Sequence, residues 1–216
     1  MYQILGIKTC LSVFATVAAL IALALSLWSG MAMESPSSIW RLASLSVTLT
    51  TALTVLLGQT VVFAYICKIP IISNFMPPID GEWIATFRSN WPEIAKAYGH
   101  PSSDKPIQSR MKIKARLFKI DIETTSITPK PDYMRSDTVS VRICRDGETN
   151  KPTLYYIYSA FVADPEATDT DRHLGAARVN VLEEGDELTI KGSYWTDRNW
   201  PKGLNTAGSL SIERVS

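Results

Sequence analysis

Tyr156, Tyr158, His173, Tyr194 and Thr196 occupy alternate positions of three short apolar runs, and Arg172, Arg198, Asn205 and Thr206 stand just beside those runs. Side chains two apart on a strand share one face, so the three tyrosines, the histidine and the threonine are expected to border a common interior space. Gly175, Ala177 and Gly192 share those faces and are expected to leave that space open. Aromatic faces with hydroxyls suit purine stacking and hydrogen bonds to ribose or phosphate. Arg172, Arg198, Asn205 and Thr206, read as loop residues, are placed to close over phosphates, where a guanidinium offers a bidentate fork. The plain alternative makes Tyr156 and Tyr158 core aromatics and His173 a packing residue at a strand end.

The chain carries no Gly-x-Ser-x-Gly elbow, no Walker loop and no Gly-x-Gly-x-x-Gly turn, so a binding role is expected rather than an enzymatic one. A metal site is not expected either. His100 and His173 have no cysteine or carboxylate at zinc-ligand spacing. The acidic run Asp164, Glu166, Asp169 and Asp171 lacks the glycine and terminal glutamate of a calcium loop and reads as a solvated loop.

The elements that must position these residues follow from hydrophobic period. Alternation at period two recurs over Glu82–Arg88, Arg110–Arg116, Leu117–Thr124, Thr138–Arg145, Thr153–Phe161, His173–Leu182, Glu187–Thr196 and Ser209–Val215. Turn residues separate the runs, among them Arg145-Asp146-Gly147 and Glu184-Gly185-Asp186. Only Trp91–Tyr98 reads as a short helix, with Asn90 as its cap and Pro92 in its first turn. Eight consecutive antiparallel strands predict an up-and-down β-barrel over 79–216, with an open sandwich as the alternative. Leu188, Ile190 and Gly192 should face inward with Tyr194 and Thr196, as should Val179 and Val181 with His173.

Ahead of this all-β region lie two apolar stretches without charge, Thr9 to Met33 and Leu42 to Cys67. Each is long enough to cross a ~30 Å hydrocarbon core as a helix. The predicted organisation is a two-helix transmembrane hairpin over 1–68, a linker over 69–78 stiffened in an extended form by Pro70, Pro77 and Pro78, and the β-domain. A cleaved signal peptide ending near Gly30-Met31-Ala32 is disfavoured, because the apolar run exceeds a typical h-region of ~7–15 residues. Lys8 and Lys68 flank the hairpin on one side, which predicts an inner-membrane protein with its β-domain in the cytoplasm. Small residues Ser12, Ala15, Ala19, Ala22, Ser26 and Ser29 stripe the first helix, and Ser44, Thr48, Thr51, Thr54 and Gly58 stripe the second. Such stripes let helices approach closely, either within one hairpin or between copies in a homo-oligomer.

A net charge of +1 with interspersed signs gives no reason to expect duplex nucleic acid as a partner. Three cysteines, two of them in or beside the helices, supply no disulfide framework.

Two resemblances add to this reading. Gly81-Glu82-Trp83 together with Arg214 resembles the Gly-x-Trp and closing arginine of lipocalin-like barrels, which implies that Trp83 plugs one end and Arg214 stacks on it. More broadly the chain resembles the membrane effectors of cyclic-oligonucleotide antiphage signalling (CBASS) that join two transmembrane helices to a β-strand-rich sensor. That likeness rests on the domain order and on Leu154-Tyr155-Tyr156-Ile157-Tyr158, His173-Leu174-Gly175-Ala176, Gly192-Ser193-Tyr194-Trp195-Thr196-Asp197-Arg198 and Thr206-Ala207-Gly208. It implies that the barrel binds a cyclic dinucleotide made by a partner nucleotidyltransferase. Helix oligomerisation, inner-membrane disruption and abortive cell death would follow. The chain departs from the family near Ala115 and Leu117, where a glutamine and a tryptophan are usual. A membrane-anchored lipocalin-like carrier of a small apolar ligand is the alternative function.

Overall fold

A computed structural model describes residues 1–29, 35–101, 103–128, 130–166, 168–184 and 187–215. Gly30-Met31-Ala32 and the Gly185-Asp186 pair of the expected hairpin turn lie outside the described residues. Two compact units emerge, one comprising Met1–Pro78 with Arg116–Lys119 and the other Ile79–Ala115 with Ile120–Ser216.

The first unit is helical: α1 (Tyr2–Leu5), α2 (Ile7–Ser29), α3 (Pro36–Gln59), α4 (Val62–Ile66) and α5 (Pro70–Ser73). Ile7–Trp28 and Pro36–Gln59 are long and apolar enough to cross a membrane. The second helix starts before the expected Leu42, because Ser35 accepts a hydrogen bond from the Ser38 N–H and Pro36 fits the first turn. It stops before the expected Cys67, at Gln59, where Thr60 turns extended and α4 restarts separately. The stretch read as wholly extended after Cys67 contains the single turn α5, begun by Pro70. Serine and threonine hydroxyls in α3 bond carbonyls one turn back, Thr50 to Ser46 at 2.7 Å and Thr54 to Thr50 at 2.8 Å, so they are satisfied without water.

The small-residue stripes do not meet as one of the two readings had them. Leu42, Ser46, Thr50 and Gly58 are the buried positions of α3, a spacing of four. Ser44, Thr48 and Thr51 are exposed, and so are Ala15 and Ala19 on α2, while Ala22 is half-buried. Phe14, Val17, Ala18 and Ile21 are the more covered side of α2. Gly58 lies under Leu117, whose Cδ2 would be 2.9 Å from an added Cβ, and its carbonyl accepts the Leu117 N–H at 2.8 Å.

The second unit is a closed antiparallel barrel in chain order, with β1 (Gly81–Ser89), β2 (Ile107–Ala115), β3 (Ile120–Ser126), β4 (Met134–Arg145), β5 (Pro152–Val162), β6 (Arg172–Glu184), β7 (Glu187–Thr196) and β8 (Ala207–Arg214). This is the eight-stranded up-and-down barrel that the alternation predicts, and closure removes the unpaired edges an open sandwich would keep. In β2, for example, Ser109, Met111, Ile113 and Ala115 are buried while Arg110, Lys112 and Lys114 are exposed. β1 closes the ring by pairing on both sides, Trp83 lying opposite Met111 and opposite Arg214. The weakest ladder is β3 to β4, where Thr138 compensates at a bulge: its Oγ1 accepts the Ile122 N–H and donates to the Ile122 carbonyl, both at 2.7 Å. Trp83, Met111, Ile113, Ile143, Leu154, Val179, Ile190, Leu210 and Ile212 fill the core.

α6 (Trp91–Tyr98) follows β1 as expected, but Asn90 does not cap it through its side chain. Its Oδ1 accepts the Ala207 N–H at 2.9 Å instead, tying the helix start to β8.

Candidate functional site

The two ends of the barrel differ in chemistry. At the end where β1 begins and β8 ends, Trp83 is fully buried and donates from Nε1 to the Ile79 carbonyl at 3.0 Å. The Arg214 guanidinium lies 4.4 Å from the Trp83 ring centre and donates from Nη1 to the Asp80 carbonyl at 3.2 Å. Burial beside the indole lowers the Arg214 pKa, and nearby Asp80 opposes that shift. Gly81 holds φ +137, and a Cβ there would be 3.0 Å from Arg214 Nη1, so only glycine lets the arginine fold over the ring. This end is filled.

The opposite end is formed by α6 and by the described residues of the loops 127–133, 163–171 and 197–206. Here Arg198 is the common neighbour. Its charge lowers the pKa of His173, Tyr194 and Tyr133, against the dominant effect of burial in the two tyrosines and together with it in His173. Its Nε donates to the Asp169 carboxylate, and its guanidinium lies 5.8 Å from the Trp91 ring centre. Asp169 is 3% exposed, so the run read as a solvated loop supplies a buried partner instead.

Beneath these groups Tyr194 packs edge-on against Phe87 at 5.2 Å, and Tyr156 and Tyr158 lie 5.9 Å apart. Burial raises the pKa of all three tyrosines, with Tyr158 adding to the shift of Tyr156 and Tyr194 to that of Tyr158. Each therefore keeps its proton. His173 is 9% exposed and its Nδ1 has no hydrogen-bond partner among the described residues. Thr196 and Thr206 clasp each other, Oγ1 to Oγ1 at 3.0 Å, while the Thr206 N–H reaches Thr196 Oγ1 at 3.2 Å. That clasp fixes the start and end of the 197–206 loop, and Asp197 anchors it further by accepting the Leu174 N–H at 2.6 Å.

Not every expected residue arrives here. Arg172 is the first residue of β6 and precedes inward-facing His173, so strand alternation turns it outward, where it lies 5.9 Å from the Phe161 ring centre. Asn205 is exposed on its loop. The expected interior space at Gly175 is taken by Tyr158, whose ring and hydroxyl occupy the position a Cβ would need. Gly192 likewise leaves no space, because a Cβ would strike the Arg178 carbonyl and the Val179 Cα. These glycines admit a ring and a close strand approach, not a ligand void. A shallow depression lined by Thr86, Arg88, Lys191, Ser209 and Ser211 lies on the outer wall of β1, β7 and β8.

Sequence reasoning missed Asp169, Trp91 and Asn199. Asn199 is buried with φ 46 and donates from Nδ2 to the Thr168 carbonyl at 3.2 Å. An asparagine two residues before Pro201 was the available signal for a left-handed turn.

No family model matches the chain. Over 141 residues it is 28% identical to the protein named CD-NTase-associated protein 15 of Escherichia albertii, a match that covers 65% of this chain and 64% of that protein. The match thus spans less than two thirds of the relative's length. The chain, two apolar helices followed by a closed eight-stranded barrel, is thus similar in sequence to that CD-NTase-associated protein.

Proposed function

We propose that this protein is a membrane effector of cyclic-oligonucleotide antiphage signalling, in which the barrel senses a cyclic dinucleotide. The observation that carries this reading is the similarity to CD-NTase-associated protein 15, a name that couples such a protein to a nucleotide-producing enzyme. The barrel end around Arg198 supports it chemically. Three protonated tyrosines, an unpartnered imidazole nitrogen and a guanidinium stacked on Trp91 match the stacking and phosphate contacts a dinucleotide requires.

In this reading α2 and α3 span the inner membrane, the barrel is cytoplasmic, and the chain acts as a switch without catalytic turnover. Ligand bound at the barrel favours one arrangement of copies, and the exposed Ala15 and Ala19 then let helices of different copies associate. The ligand shifts this equilibrium only by its differential affinity for the two arrangements.

Dye release from proteoliposomes holding the full chain tests the reading. A cyclic dinucleotide is expected to trigger release that a linear dinucleotide does not. Release independent of nucleotide would contradict a sensor, and fatty-acid binding in its place would favour a carrier.

A further inference from the structure

The outer wall of the barrel is not uniformly polar. Across β4 to β7 the ladder places Ile157 beside Ala176 and Ala176 beside Trp195, with Val139 bulged next to them on β4. Leu174 and Phe161 extend this belt toward the Arg198 end. Val139 is 61% exposed, Trp195 50%, Phe161 and Leu174 48% and Ile157 44%. Four strands about 4.8 Å apart, over six residues at about 3.3 Å, give a face of roughly 300 Å² that is apolar apart from Ser159 beside Leu174. The outward positions of β2 and β3, by contrast, carry Arg110, Lys112, Lys114, Asp121 and Glu123.

We infer that this belt is a lateral contact between barrels of two copies of this chain. Its rim carries both signs of charge. Arg135 pairs with Asp137 at 3.6 Å at one corner, and Arg178 pairs with Asp146 at 2.9 Å at the other. Arg172 at the top lies over the Phe161 ring. A basic cluster that would draw the belt onto anionic lipid is therefore lacking among these rim residues, and a rim whose charges are paired within one copy sets no net like-charge repulsion against the same face of a second copy across a twofold axis. Two such sheet faces pack about 10 Å apart with their side chains interdigitated.

The belt alone is too small to hold two copies together in solution. It falls well short of the ~800 Å² per partner that holds a stable dimer in dilute solution. Copies confined to one bilayer by their helices meet at far higher effective concentration, where a small contact suffices. The inference rests on the membrane-effector reading for that confinement, and it adds a second contact to the one between helices.

The test uses the full chain in phosphatidylcholine proteoliposomes, with Ala176→Cys as the reporter and a short bismaleimide as the cross-linker. The parent chain, with its own three cysteines, and Lys112→Cys on β2 are run in parallel. The expected result is a dimer band at 176 at least about tenfold above both controls, as confinement in a bilayer would produce, and its loss when Trp195→Glu is added. Thermal unfolding of each variant establishes that the barrel is intact. A dimer no stronger than the controls, or one indifferent to Trp195→Glu, overturns the contact. Absence of the dimer together with protection of Cys at 176 from a water-soluble maleimide assigns the belt to lipid and also overturns it. Calorimetric nucleotide binding does not report on this face, so lost cross-linking with binding retained overturns the contact alone and leaves the sensor reading standing.

Discussion

Arg198 donates from Nε to Asp169, and the carboxylate it neutralises is almost wholly buried. The same guanidinium stacks over Trp91, so one side chain ties the 197–206 loop to the 163–171 loop and to the start of α6. A phosphate arriving at this end must share Arg198 with Asp169 or displace it. Arg198→Ala is therefore expected to weaken cyclic-dinucleotide binding by about tenfold or more, and to cost roughly 1–3 kcal/mol of barrel stability by leaving Asp169 without its partner. Arg198→Lys should restore part of the affinity, since it keeps the charge but loses the fork and the planar stack. Calorimetry on the full chain, with denaturant unfolding alongside, separates the two effects.

Gly175 and Tyr158 form a fitted pair. Gly175→Ala forces the Tyr158 ring aside, and overpacking of this kind costs about 1–3 kcal/mol. The expected readouts are a lower thermal midpoint and weaker nucleotide binding together, because Tyr158 lies in the candidate site. A variant of unchanged stability would show that the ring has room to move.

At the plugged end the expectation is the reverse combination. Arg214→Ala removes a cation–π contact of about 1–2 kcal/mol and uncovers the indole of Trp83. It should lower the unfolding midpoint and leave nucleotide affinity unchanged, since the two groups lie at opposite ends of the barrel.

His173 gives the barrel a pH dependence of definite sign. Burial, then the charge of Arg198, depress its pKa below the ordinary 6.5, while Asp169 and Asp197 pull the other way. The folded state therefore resists protonation that the unfolded chain accepts. The stability is fully present above pH 6.5 and is lost as pH falls from there toward the lowered folded value. Thermal midpoints between pH 7.5 and 5 should fall more steeply for the native protein than for His173→Gln.

In the helical unit Ala19→Leu places bulk on an exposed face of α2 and should abolish nucleotide-triggered leakage while sparing binding. Gly58→Leu is a poorer probe of the same idea, because Gly58 lies against Leu117. Its effect would mix helix association with local packing.

Period-two alternation made all eight strands and the barrel legible, because each strand has one dry and one wet face that the sequence must respect. The short helix at Trp91–Tyr98 was legible from Pro92. Helix register was not: Ser44, Thr48 and Thr51 versus Leu42, Ser46 and Thr50 are equally regular stripes, and only packing decides which is covered, while Gly58 of the expected stripe is buried. The ion pair of Asp169 with Arg198 had no local signal, since its partners sit on separate loops joined only by barrel closure. Gly175 and Gly192 were misread as space because a missing side chain looks the same in sequence whether it leaves a void or admits a neighbour.

Binding of a panel of cyclic di- and trinucleotides to the full-length protein in detergent, measured by calorimetry, tests the central claim most directly. Saturable binding of one cyclic nucleotide, lost in Arg198→Ala with the barrel still folded, is the predicted result; no binding across the panel by a folded barrel would contradict it.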